Sequence, residues 1–200
     1  SSKTRYDCFA IGGLISSYEA IAETTNTLRE TFQTTPILVG GKVCKINPEL
    51  LFSRTSADLL VDGEAEDTIA DILAIACGAE RDKTLIPGLI YREQGRILRN
   101  PEGITADINA YQIPYHRFSM ERYVSRMGIQ SNGKRSLNMI SSRGCPFTCT
   151  FCNFSSGLFR KIRLYDAAVL ESEIRDLKEH HALQHIFFNE DIFALTENRL

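Results

Sequence analysis

The chain lacks a charge excess of either sign: 25 acidic and 23 basic residues leave a formal net charge of −2. Such a balance supplies none of the positive field with which proteins gather nucleic acid or anionic membrane. No apolar run approaches the ~20 residues that span a bilayer, and no charged-then-apolar signal segment opens the sequence. Neither nucleic acid nor membrane is therefore expected as a partner, and cytoplasm is the expected compartment. Histidine is missing before His116. Only one C-x2-C pair exists, against the two separated pairs of many structural zinc sites. The chain opens without methionine and stops at Leu200 soon after an apolar strand-like run, so it reads as a fragment.

What is present is concentrated in one stretch, Ser142-Arg143-Gly144-Cys145-Pro146-Phe147-Thr148-Cys149-Thr150-Phe151-Cys152. Three of the six cysteines fall within eight residues, spaced C-x3-C-x2-C. Residues 137–140 read as a short buried strand before them, and Gly144 and Pro146 mark a turn. Cys145, Cys149 and Cys152 are thus expected on a loop leaving a strand end, where the backbone can curl around one centre. Clustered thiolates hold metals, and iron–sulfur clusters are characteristically held by cysteine sulfur. Three ligands on a four-iron cube leave one iron open to a substrate. Structural zinc stays open as an alternative, with His180, His181 or His185 as fourth ligand. A disulfide fits poorly, because adjacent thiols in an intracellular chain point to metal or catalysis.

The remainder reads as α/β. Apolar runs at 6–13, 36–41 and 58–61 predict buried strands ending in Gly12-Gly13, Gly40-Gly41 and Asp62-Gly63-Glu64-Ala65-Glu66. Helices are predicted over 18–32, from Asn47-Pro48 as cap and first residue, and on to about residue 76. Continuous apolar strands alternating with helices imply a parallel sheet, whose ligands bind at the strands' carboxyl ends. Residues 87–92 and 96–99 flank Glu93-Gln94-Gly95 as a hairpin, and Pro101, Gly103 and Pro114 mark an irregular linker. After the cysteines, Asp166 is expected to cap a helix with Leu170, Ile174, Leu177 and His181 on one face. A strand then ends at Asn189-Glu190-Asp191. This series opens a parallel βα barrel, and its strand ends would share a rim with the cysteine loop. Cys8, Cys44 and Cys77 are read as small apolar residues without chemistry.

The stretch SSRGCPFTCTFC resembles the signature of the radical S-adenosylmethionine (SAM) enzymes, in the version that follows a cobalamin-binding domain. The order Ser16-Ser17-Tyr18, Gly40-Gly41 and Gly63-Glu64-Ala65-Glu66 before it resembles the later part of that Rossmann-like domain. The resemblance implies a [4Fe–4S] cluster on Cys145, Cys149 and Cys152, whose open iron chelates SAM. An electron from the cluster then splits SAM into methionine and a 5′-deoxyadenosyl radical. It further implies that Phe151 packs beside the cluster and that Glu190 or Asp191 accepts bonds from the SAM ammonium. Gly40, Gly41, Gly63 and Glu64 would line a cobalamin site. Many such domains offer a histidine below the cobalt; with none before His116, either that loop precedes this chain or no lower histidine is used.

The expected architecture is an incomplete Rossmann-like cobalamin-binding domain (1–85), a hairpin and linker (86–135), and the first part of a radical SAM (β/α) partial barrel (136–200). The expected function is reductive cleavage of SAM, in a cobalamin-dependent methyltransferase acting on a small molecule, with an electron donor such as flavodoxin or ferredoxin. The piece by itself is expected to turn over no substrate. The alternatives are a non-catalytic zinc or structural iron–sulfur module, and a radical SAM enzyme without cobalamin.

Overall fold

A computed structural model of the chain describes residues 5–45, 47–124, 133–152 and 161–193. The chain falls into two compact units, Ser1–Ala106 and Asp107–Leu200.

In the first unit, β1 (Phe9–Gly12), β2 (Ile37–Gly40) and β3 (Leu59–Val61) run parallel in that order, with Gly12 opposite Gly40 and Gly40 opposite Val61. Helices α1 (Tyr18–Thr31) and α2 (Pro48–Arg54) connect them, and α3 (Ile69–Ala76) follows. Successive strand residues point to opposite faces, and here both faces are covered. Val39 and Leu60 enter one core with Ile21 of α1 and Leu51 and Phe52 of α2. Leu38, Leu59 and Val61 enter a second core with Ile72 of α3. Two-sided burial is why these strands read as unbroken apolar runs. The start of α2 is as predicted: Pro48 is its first residue, and Asn47 Oδ1 accepts from Leu50 N at 2.9 Å.

Residues 86–99 differ from their expected place in the connecting segment. β4 (Leu89–Glu93) pairs antiparallel with β3 and β5 (Arg96–Arg99) with β4, making the hairpin the fourth and fifth strands of the sheet. Gln94 and Gly95 form its tight turn at φ 48° and 76°, the left-handed pair that suits the twist of a two-residue hairpin. Leu89, Ile90 and Tyr91 are each at most 1% exposed. Ending the first domain at residue 85 would strip that apolar surface from both cores.

In the second unit, β6 (Ser136–Met139) and β9 (His185–Phe188) pair in parallel, and α4 (Ala167–His181) lies between them in sequence. Leu177 of α4, Met139 and Leu183 are buried with Tyr115 and Met120. Of the predicted helix face, Leu177 is fully buried and Ile174 packs at the edge of that core. Asp166 occupies the cap position, but its side chain makes no capping bond; its backbone N–H donates to Asn109 Oδ1 at 2.8 Å. A short antiparallel pair, β7 (Ser142–Arg143) and β8 (Arg163–Leu164), completes the described strands. Among the described residues, no helix is long and apolar enough to cross a membrane.

Candidate metal centre

The cysteine loop begins where β6 stops. Ile140 and Ser141 lead into β7, which pairs with β8 through Ser142↔Leu164 and Arg143↔Arg163. All three cysteines therefore lie, in sequence, between the two strands of this stem. Gly144 takes φ +96° at the exit from that stem, a backbone region that an L side chain rarely adopts. Cys145 and Cys152 are half-buried and Cys149 is exposed. Cys152 N donates to Cys149 O at 3.1 Å, closing a turn over the C-x2-C pair.

The donor set fits a thiolate-held cluster in kind and in spacing. Its sulfurs are not drawn to one point: among the described residues, no three His, Cys, Asp or Glu side chains are grouped to hold a metal. Phe151 is 90% exposed, so the packing expected of it has no apolar cover among the described residues. His180, one of the alternative zinc ligands, is exposed and pairs with Asp176 one turn earlier on α4 at 3.0 Å.

The stem is tied to the end of β9. Asn189 N donates to Met139 O at 2.8 Å, prolonging the β6–β9 pairing. One Glu190 carboxylate oxygen accepts from both the backbone N–H and the hydroxyl of Ser141, and the other accepts from Ser142 Oγ at 3.1 Å. Tyr165 N donates to Ser141 O at 3.0 Å, and Arg143 Nε donates to the Tyr165 hydroxyl at 3.1 Å. Ser141 and Ser142 are buried. Glu190, expected at a SAM ammonium, thus binds the loop's stem, while Asp191 beside it is exposed. Sequence reading passed over the two serines; their place directly after an apolar strand was the available signal.

Beside the stem, a cavity of about 170 Å³ is lined by Tyr115, Asn138, Ile140, Tyr165, Glu173 and Asn189 among others. Burial raises the Glu173 carboxyl above the usual carboxylate range, partly offset by a hydrogen bond from the Ile113 backbone. Burial, with Glu173 and Tyr165 nearby, pushes the Tyr115 hydroxyl up to about 12.

In the first unit, the residues expected at cobalamin are at the carboxyl ends of β2 and β3, and several are engaged within the protein. Gly40 ends β2. Gly41 has φ +87°, and a Cβ there would stand 2.8 Å from Gly13 O, so its lack of a side chain lets two loops meet. Gly63, at φ +96°, lies under the backbone of Gly103 in the same way. Glu64 Oε2 accepts from Thr105 N and Glu66 Oε2 from Thr105 Oγ1, both at 2.8 Å. Cys44 packs as expected: it is fully buried, donates to Val39 O at 3.3 Å, and burial raises its thiol to about 12. Cys77, read as a small apolar residue, is exposed at the end of α3.

No protein-family model matches the chain. An uncharacterised methyltransferase of Pyrococcus horikoshii is 28% identical over 167 residues, which are 82% of this chain and 35% of that protein. The chain thus spans about a third of that relative's length. Among solved structures, the cobalamin-dependent S-adenosylmethionine radical enzyme OxsB, with aqua-cobalamin and S-adenosylmethionine bound, superposes with a TM-score of 0.71 at 20% identity. That match covers 96% of this chain and 27% of OxsB. The radical S-adenosylmethionine methyltransferase TsrM of Kitasatospora setae, with cobalamin and a [4Fe–4S] cluster bound, matches 99% of this chain and 40% of its own, with a TM-score of 0.69 at 16% identity. The fold is that of a partial Rossmann-like α/β sheet followed by part of a radical SAM barrel. The sequence relatives of this chain include methyltransferases, among them the cobalamin-dependent radical SAM methyltransferase TokK of Streptomyces tokunonensis at 21% identity over 96% of this chain and 27% of TokK, and the chain shares its fold with radical SAM enzymes solved with cobalamin bound.

Proposed function

We propose that Cys145, Cys149 and Cys152 hold a [4Fe–4S] cluster at which S-adenosylmethionine is reductively cleaved, within a cobalamin-dependent methyltransferase. The observation that carries this reading is the C-x3-C-x2-C loop, rooted at the carboxyl end of β6 and tied to the carboxyl end of β9. Barrel enzymes keep their reactive groups at that end of the strands. The ligands bound in OxsB and TsrM support the same three cofactors here.

When bound, the cluster supplies the electron that cleaves SAM, and cobalamin supplies a methyl carrier. The protein's part is to hold, orient and exclude water. Three thiolates grip the cluster, and Phe147 and Phe151, both exposed on the loop, provide apolar cover as the loop closes. Asp191 is the strand-end carboxylate offered to the SAM ammonium. Gly12 and Gly40 leave the carboxyl ends of β1 and β2 without side chains, and nothing stands within 4 Å of where a Cβ on Gly12 would be, so a large flat cofactor can approach the backbone there. No histidine of this chain precedes His116, so none of the first unit's residues would offer cobalamin an imidazole. The partners are a small-molecule substrate and a one-electron donor such as flavodoxin or ferredoxin.

The test is anaerobic reconstitution with iron and sulfide, followed by EPR of the reduced protein with and without SAM. A cluster signal that shifts with SAM and disappears in Cys149→Ala is the expected result. Retention of zinc, with no iron taken up, would overturn the reading in favour of a structural metal module.

A further inference from the structure

We infer that Glu190 is a positioning residue that sets the cysteine loop, not a ligand of S-adenosylmethionine. The inference deepens the proposed cluster site and rests on that reading for its functional meaning, though not for its geometry.

Glu190 follows β9, 49 positions from Ser141, and carries the β6–β9 pairing on from the strand ends to the start of the stem. It accepts three hydrogen bonds from the two residues that open the stem: Ser141 N–H, Ser141 Oγ and Ser142 Oγ. The Ser141 carbonyl is held in turn by Tyr165 N, the residue after β8. Ser141 is thereby fixed on its amide, hydroxyl and carbonyl sides by both neighbouring segments. Cys145 lies four residues further on, beyond Gly144. A carboxylate accepts such bonds with both oxygens and forms stronger ones than a neutral group, so it suits a clamp on two hydroxyls and an amide. The same geometry turns both oxygens toward the stem and leaves the exposed Asp191 as the strand-end carboxylate presented to solvent.

The test uses the whole chain in two states. In the metal-free protein, iodoacetamide alkylation of each cysteine is followed by mass spectrometry. Glu190→Ala is expected to speed alkylation of half-buried Cys145 about tenfold, the loss of charge-assisted bonds being worth roughly that factor. Cys149, already exposed, keeps its rate. After reconstitution, Glu190→Ala is expected to hold iron about tenfold more weakly, as when an outer partner of a metal ligand is removed. Glu190→Gln restores most of both effects, because its amide oxygen still accepts from Ser141 and its NH2 can donate to Ser142 Oγ. Adding Ser141→Ala to Glu190→Ala changes little further, as expected for partners in one interaction. If Glu190→Ala disturbs the far-UV circular dichroism, Ser141→Ala and Ser142→Ala carry the same comparison.

Unchanged Cys145 reactivity and iron affinity in Glu190→Ala, with only the SAM-induced EPR change lost, would overturn the inference and make Glu190 a SAM ligand. Faster Cys145 alkylation in a protein whose wild type takes up no cluster would uphold the clamp while removing the cluster reading.

Discussion

The two units treat the carboxyl ends of their strands differently. In the first, the end of β3 is closed by the protein's own chain. Glu64, Glu66 and Asp67 accept from Thr105 and Ala106, Gly63 lies under Gly103, and Lys45 pairs with Glu102. In the second, the strand ends carry a tied stem and, beyond it, exposed groups: Phe147, Cys149, Phe151 and Asp191. Buried polar groups are normally satisfied within the fold, and the first unit obeys that rule almost throughout. The contrast separates residues spent on folding from residues held out for something else. Glycine and glutamate at a strand end can belong to either class, and only their partners tell which.

The largest effect expected from breaking the contrast is at Arg99. Its guanidinium pairs with Asp62, which is 1% exposed and whose other oxygen has no partner among the described residues. Arg99→Met leaves that carboxylate buried without a counter-charge, which typically costs about 3–5 kcal/mol. The lower end is expected, since Arg99 itself is 45% exposed and water reaches its site. Urea unfolding should show the loss while iron uptake by the cysteine loop is unchanged. A loss below about 1 kcal/mol would mean that water replaces the arginine and that the first unit is less closed than described.

A smaller effect is expected at Glu64. Replacing it with alanine removes the acceptor of the Thr105 amide, a loss of about 1–3 kcal/mol for a backbone donor left without a partner. This variant sharpens the contrast because the residue was also expected at cobalamin. A stability loss with cobalamin affinity unchanged would assign Glu64 to folding. A large fall in affinity at unchanged stability would move it to the second class.

These cases show what the sequence could express. The parallel strands and α2 were legible because apolar runs and an Asn-Pro cap act locally. The three cysteines stand out because their spacing is itself the signal. The hairpin's membership in the first sheet was not, since it depends on Leu89, Ile90 and Tyr91 meeting cores that draw on residues as far back as Ile21. Glu190 carried the same limit: its acidity and strand-end position were visible, but its partners are 48 and 49 positions back in the chain. Phe151 was assigned from its neighbours, and its solvent exposure could be seen only in three dimensions.

The smallest effect is expected at Glu173, where the contrast concerns the cost of burial. Glu64 and Glu66 accept hydrogen bonds from Thr105, whereas Glu173 faces a cavity with Tyr115 and Tyr165 and is raised chiefly by burial. A carboxyl raised in the folded state holds its proton more tightly there than in the unfolded chain. Its stabilising contribution is therefore complete below the unfolded value, about 4.3, and is lost as pH rises through the folded value. At neutral pH the cost of burying Glu173 weakens the second unit. Glu173→Gln keeps an oxygen for the Ile113 amide but has no charge to bury, so its melting temperature should exceed the wild type's at pH 7 by roughly 1–2 °C. The difference should vanish near pH 3, where both side chains are neutral. A constant gain at all pH values would point to packing rather than ionisation, and a loss at pH 7 would mean that the charge has a partner in the cavity.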